Sequence, residues 1–184
     1  MFVVQRKRLT AEHWTEAAVE ALATGGVAGV AVEPIAARLG ATKGSFYWHF
    51  PGRDALLQAA LARWERTGTE DVITLVEAEA DIPARLRKLL AVAIGGDDSV
   101  ELALQPSALH PLVAPVLARV TARRLDYLTA LFTQVGFPVE QARQRSLLAY
   151  TAYLGHAQLR HATPQLAPAG SAYVDAVIAA LIAR

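Results

Sequence analysis

The sequence predicts an all-α protein with a small N-terminal helical module and a larger helical domain behind it. Three observations carry that expectation. Apolar residues recur at three- and four-residue steps along the chain, while strand signals are nearly absent. The breaks between periodic stretches fall at Gly, Pro and Asp clusters such as "PGRD" (51–54), "GGDDS" (95–99) and "VGFP" (135–138). Hydrophobic residues, mostly Ala, Leu and Val, make up 53% of the 184 positions, enough to bury a substantial core.

The first helix is expected from Thr10, a candidate N-cap, to a stop at Gly25-Gly26, with Trp14, Ala18, Ala21 and Leu22 on one face. "EPIAARLG" gives a short second helix from about Pro34 to Leu39. Proline is tolerated there because first-turn N–H groups have no intrahelical partner. A third short helix runs from Lys43 to about Phe50, capped by Thr42. The tight turn at Gly40-Ala41 between these two has helix-turn-helix spacing. A longer helix follows "PGRD", carrying Leu56, Leu57, Ala60, Leu61 and Trp64 on one face. Five more are expected at roughly 83–94, 100–108, 112–134, 139–161 and 171–183, about nine helices in total.

Composition excludes several functions. There is no cysteine, which removes disulfides, thiolate metal sites and cysteine nucleophiles together. The net charge of +1 leaves no whole-protein attraction for polyanions, so an anion-binding surface must be local. "MFVVQRKRL" puts apolar residues before its charges, the wrong order for a secretion signal. Runs such as "LLAVAIGG" (89–96) fall short of the roughly 20 residues that span a membrane. The expectation is a cytoplasmic protein with no membrane partner. No HExxH, phosphate loop, GxSxG or paired-carboxylate motif appears, and His156 and His161 do not share a helical face. Neither an enzyme nor a metal or cofactor site is expected.

The most informative stretch is "GATKGSFYWHF" (40–50). Phe46 and Phe50, at i and i+4, can turn inward together and hold the helix down. The remaining groups then face outward. Thr42 and Ser45 offer hydroxyls, Lys43 a long cation, and Tyr47, His49 and Arg53 further donors. Gly44 removes a side chain where backbone comes close to something. Such a face on the second helix of a helix-turn-helix suits a DNA major groove. Trp48 either wedges against a phosphate or packs on the first helix. Arg6, Lys7 and Arg8 form either a DNA-contacting arm or a solvated tail.

"VEPIAARLGATKGSFYWHFPGRDALLQAAL" (32–61) resembles the DNA-binding region of the tetracycline-repressor (TetR) family of bacterial transcription regulators. The matching positions are Ile35-Ala36, Leu39-Gly40, Ala41-Thr42, Gly44, the ring-bearing run Phe46 to Phe50, Arg53 and Leu56. The resemblance covers about residues 9–64. Two departures stand out. Ala31 and Val32 occupy a region where a hydroxyl cap is usual, and Glu33 lies close to where a DNA contact is commonly made.

The resemblance implies residues 1–53 as a DNA-binding domain and 54–184 as a ligand-binding and dimerisation domain. Thr42, Tyr47, His49 and Arg53 would hold phosphates, and Lys43 and Ser45 would read base edges. A lone helix-turn-helix reads about half an operator, so a homodimer on a palindrome is expected. Leu148, Ala152, Gly155 and Leu159 share one stripe within 139–161. Val174, Val177, Ile178 and Leu181 share another within 171–183. These stripes either meet a second copy in a four-helix bundle or cover the chain's own core. Candidate pocket residues for an apolar or amphipathic effector are Trp64, Gln105, His110, Tyr127, Phe132, Tyr150 and Tyr153. The function implied is a ligand-responsive regulator, most often a repressor. The competing reading is a helix-turn-helix that serves protein contacts without an operator.

Overall fold

A computed structural model describes residues 9–168 and 170–183. Every regular element among them is helical. In chain order these are α1 (Ala11–Gly29), α2 (Val32–Arg38), α3 (Lys43–Tyr47), α4 (Arg53–Glu65), a π turn (Arg66–Glu70), α5 (Asp71–Glu77), α6 (Ile82–Gly95), α7 (Ser99–Leu104), a 3-10 turn (Gln105–Ser107), α8 (Ala114–Val135), α9 (Val139–Ala162) and α10 (Ser171–Ile182). Among the described residues no helix is long and apolar enough to cross a membrane. Packing groups the described residues into two units, one running to Trp64 together with Ser99–Ala114, the other of Glu65–Asp98 together with those from Pro115.

In the first unit α1 supplies the largest inward face. Trp14, Ala18 and Leu22 are fully buried, as the periodicity demands. The stop expected at Gly25-Gly26 is a kink. Gly26 takes φ 58° and ψ −156°, and the chain makes one further turn to Gly29. A Cβ at Gly26 would stand 3.1 Å from the Ala103 carbonyl oxygen of α7, so both backbone conformation and close packing favour glycine.

Helix α2 ends in a Schellman motif. Gly40, at φ 62°, donates its N–H to Ala37 (3.1 Å), and Ala41 donates to Ala36 (2.9 Å). Two of the helix's last carbonyls are satisfied within the turn that launches α3. Helix α3 closes earlier than the sequence suggests, at Tyr47, and Trp48 and His49 form a turn.

In the second unit the core runs through Val76, Leu86, Leu90, Tyr127, Leu131, Phe132, Phe137, Ala149, Tyr150, Val174 and Leu181. The turn at Arg66–Glu70 carries one residue more than an α-helix accommodates per turn, and it is gripped from α8. Arg119 makes a two-pronged bond to Glu65 (3.1 and 2.8 Å), and Arg123 a second to Glu70 (3.1 and 3.3 Å). Arg124 donates to Thr69 Oγ1 and to the Gly68 carbonyl, both at 3.1 Å. A π turn loosens the i→i−4 ladder, and the guanidinium on Gly68 satisfies a carbonyl at that point.

Candidate nucleic-acid interface

The ring-rich stretch divides by face. Phe46 is fully buried, packed edge-on against Trp14 (5.4 Å between centroids) and stacked on Phe50 (5.7 Å). These three rings fix α3 on α1 and leave its other side in water. Thr42, Lys43, Gly44, Tyr47 and Trp48 are exposed, and Ser45 and His49 are half-buried. Thr42 caps α3 by accepting from the Ser45 N–H at 3.2 Å. Trp48 is 89% exposed, so it does not pack on the first helix. A Cβ on Gly44 would meet only Thr42 Oγ1, at 3.7 Å, so nothing within the chain requires a glycine there.

Two charged residues behave differently from what the pattern alone suggests. Arg53 turns toward the end of α1. Its Nε donates to the Val30 carbonyl at 2.8 Å, Nη2 donates to the Val27 carbonyl, and Nη1 faces Asp54 at 3.4 Å. Most of its donors are therefore occupied inside the protein. Lys43 Nζ lies 2.6 Å from Glu33 Oε1 on α2, so the pair bridges the two helices of the helix-turn-helix on its solvent side. The hydrogen bond and charge of Lys43 hold the Glu33 carboxyl below its ordinary range, and Glu33 raises the Lys43 ammonium in turn. Arg6, Lys7 and Arg8 lie outside the described residues.

The candidate pocket residues separate. Trp64, Gln105 and His110 belong to the first unit. There Trp64 is buried and Gln105 exposed, and His110 Nδ1 accepts from the Leu112 N–H at 3.2 Å. Tyr127, Phe132, Tyr150 and Tyr153 fall in the second unit. Phe132 is core, 6.3 Å from Phe137. Tyr127 donates its hydroxyl to Glu77 at 2.7 Å, and burial together with that carboxylate raises the phenol well above its ordinary value. Tyr150 has its hydroxyl 3.3 Å from Thr121 and its ring 6.0 Å from Tyr153.

Polar groups beside these tyrosines were not anticipated from sequence. Arg160 donates to the Ile94 and Gly96 carbonyls and to Asp98 Oδ2 (2.8 Å), which closes the end of α6. Burial raises the Asp98 carboxyl, against a hydrogen bond from Tyr153 and the charge of Arg160. His156 is 3% exposed and stacked 5.0 Å from Tyr173, and neither ring nitrogen has a hydrogen-bond partner among the described residues. No spacing in the sequence announces these pairs, because Asp98 lies in the connection between α6 and α7 and Arg160 far along the chain on α9.

The two apolar stripes also part company. On α9, Leu148, Gly155 and Leu159 are exposed and Ala152 is half-buried. On α10 the expected surface stripe is turned inward. Val174 and Leu181 are buried in the chain's own core, and Val177 and Ile178 pack against it. The outward face of α10 is mostly alanine, with Ala172, Ala176, Ala179 and Ala180 exposed beside Ser171, Asp175 and Ile182. The larger side chains bury more area than alanine can, and that decides which face turns in.

Residues 15–60, which take in most of α1, all of α2 and α3 and most of α4, match the sequence model of the bacterial regulatory proteins of the tetR family. The chain carries a TetR-family domain. The sequence matches no curated protein. Solved structures resemble the chain over nearly its whole length. A transcriptional regulator from Rhodococcus sp. Rha1 is 22% identical, with 95% of this chain and 94% of that one covered and a TM-score of 0.76. A TetR-family transcriptional regulator from Streptomyces coelicolor is 22% identical, with 96% and 90% covered and a TM-score of 0.72. AibR, solved in complex with isovaleryl coenzyme A and operator DNA, is 20% identical, with 95% and 97% covered and a TM-score of 0.67. At such identities the likeness extends the TetR fold to the helices beyond the matched domain.

Proposed function

We propose that this protein is a ligand-responsive, DNA-binding transcriptional regulator, in the sense of a repressor, that binds a palindromic operator as a homodimer. The observation that carries the reading is the division of the TetR helix-turn-helix. Trp14, Phe46 and Phe50 anchor α3, while Thr42, Lys43, Gly44, Tyr47 and Trp48 are left on its exposed side. Residues 1–53 serve as the DNA-binding domain and 54–184 as the ligand-binding and dimerisation domain.

Lys43 and Ser45 read base edges, and Thr42, Tyr47, Trp48 and His49 lie against phosphate and sugar. The effector, an apolar or amphipathic small molecule, binds beside Tyr127, Tyr150 and Tyr153. It releases the operator by differential affinity for two conformations. The complex of AibR with both an acyl coenzyme A and operator DNA supports that pairing of partners. No catalytic step, metal or cofactor is part of the mechanism.

The test is fluorescence anisotropy of the full chain with random-sequence duplex DNA at 50 and 200 mM salt. Affinity should fall steeply as salt rises, because each phosphate contact releases a counterion. Absence of salt-dependent binding would overturn the reading in favour of a protein-interaction module.

A further inference from the structure

We propose that Glu33 is a specificity-determining residue. Paired with Lys43, it makes a two-pronged reader of one G·C base pair and cancels the lysine's indiscriminate attraction to phosphate. The inference rests on the DNA-binding reading above and goes beyond it in assigning a base pair and a role to an acidic residue.

The observation is the contact between α2 and α3. Lys43 Nζ and Glu33 Oε1 are 2.6 Å apart, and the two side chains are 56% and 72% exposed. A carboxylate on the solvent side of a helix-turn-helix is costly to bring near DNA unless it meets a donor. The pair as a whole is neutral, so it contributes no net counterion release. Its value on DNA must lie in hydrogen bonding.

In the major groove a G·C pair offers the guanine N7 and O6 acceptors beside the cytosine N4 amino donor. The O6 and N4 atoms, themselves hydrogen-bonded, lie about 2.9 Å apart, the usual N–H···O separation. Lys43 Nζ and Glu33 Oε1 present a donor and an acceptor at nearly the same spacing. Lys43 donates to guanine O6, the cytosine amino group donates to Glu33, and the Lys43–Glu33 bond survives docking. An A·T pair offers the adenine N6 donor beside the thymine O4 acceptor with the thymine methyl adjacent. The donor and acceptor come in the same order, but thymine sets its methyl where guanine offers N7, so the Lys43 ammonium loses a second acceptor there. Lysine alone would donate to any phosphate; with Glu33 beside it, the site rewards one base pair.

The experiment is selection of bound sequences from a random duplex pool, with salt titrations of Kd, for the full-length wild type, Glu33→Ala and Glu33→Gln. Both side chains are exposed, and unchanged circular dichroism establishes that the variants fold. The wild type should select a fixed G·C pair at one position in each half-site. Glu33→Ala should relax that position. Glu33→Gln, which keeps an acceptor and loses the charge, should retain part of the preference. In both variants the slope of log K against log salt should steepen by about 0.9, for one uncancelled lysine. That is about a three- to fourfold greater loss of affinity between 50 and 200 mM.

Identical selected sequences and slopes in all three proteins would overturn the proposal. A steeper slope with an unchanged sequence preference would overturn it too, since base reading is its substance. Failure of the wild type to bind duplex DNA at any salt would instead remove the functional reading beneath it.

Discussion

The Arg53 guanidinium, at the start of α4, donates to the Val30 carbonyl at 2.8 Å, where the chain leaves α1. With the bond from Nη2 to the Val27 carbonyl, it binds two carbonyls at that helix end. Charge-assisted bonds of this kind contribute about 1.5–3 kcal/mol each before non-additivity. Arg53→Ala is therefore expected to destabilise the protein by about 1–3 kcal/mol. Arg53→Lys should restore little, because an ammonium cannot reproduce the fork. Thermal unfolding followed by circular dichroism checks this, and an unchanged midpoint for Arg53→Ala would remove the structural role.

Gly44 gives a cleaner probe of the interface. A Cβ there meets nothing closer than 3.7 Å, so Gly44→Ala should leave stability unchanged or raise it by up to about 1 kcal/mol through helix propensity. If α3 backbone approaches DNA at this position, the same substitution lowers affinity for duplex DNA at least tenfold. Melting and anisotropy measured on one preparation separate the two effects. Equal DNA affinity for both proteins would refute a close approach.

The apolar helices offer a paired prediction. Leu148 is 57% exposed on α9, whereas Leu181 is 3% exposed on α10. For the homodimer proposed above, Leu148→Asp is expected to give a monomer of unchanged helicity, read by light scattering after size exclusion. Leu181→Ala should leave the mass alone and cost about 2–5 kcal/mol of stability by opening a cavity. A Leu148→Asp protein that remains dimeric would exclude this face of α9 as the interface.

Burial holds the His156 imidazole below its ordinary value of 6.5, with Arg160 acting in the same direction and Asp98 opposing. As pH falls below 6.5 the unfolded chain takes up a proton that the folded chain resists. Stability should therefore decline until the lower native value is passed, and be unaffected by this group above 6.5. Asp98 acts in the opposite sense. Its raised carboxyl binds a proton more readily when folded, which offsets part of the loss at more acidic pH. Urea midpoints at pH 7.5 and 5.5 should differ less in His156→Phe than in the wild type. An equal difference in both would show that the buried imidazole is not the source.

Sequence made the first unit legible because its chemistry is segregated. Phe46 and Phe50 sit at i and i+4 among hydroxyl and cationic neighbours, so burial could be assigned to them without ambiguity. Helix positions were readable for a similar reason, since Gly and Pro clusters punctuate the chain. The inward turn of Arg53 was not legible, because its acceptors are backbone carbonyls, which carry no residue identity. Nor was the facing of α10: its residues are apolar nearly all round, and the contest between a Val/Leu face and an Ala face is settled only by what packs beside it. Asp98 with Arg160 and Arg124 with Gly68 join distant segments, and periodicity within one helix cannot reveal such partners.

The position of Trp48 has a practical consequence. Of the chain's three indoles, Trp14 is 0% and Trp64 7% exposed, whereas Trp48 is 89% exposed. Only the Trp48 ring is open to an aqueous quencher such as iodide, and its emission should be the most red-shifted of the three. The protein thus carries its own optical probe beside α3. Quencher shielding of a single emitter on addition of duplex DNA would report docking in solution without any attached label.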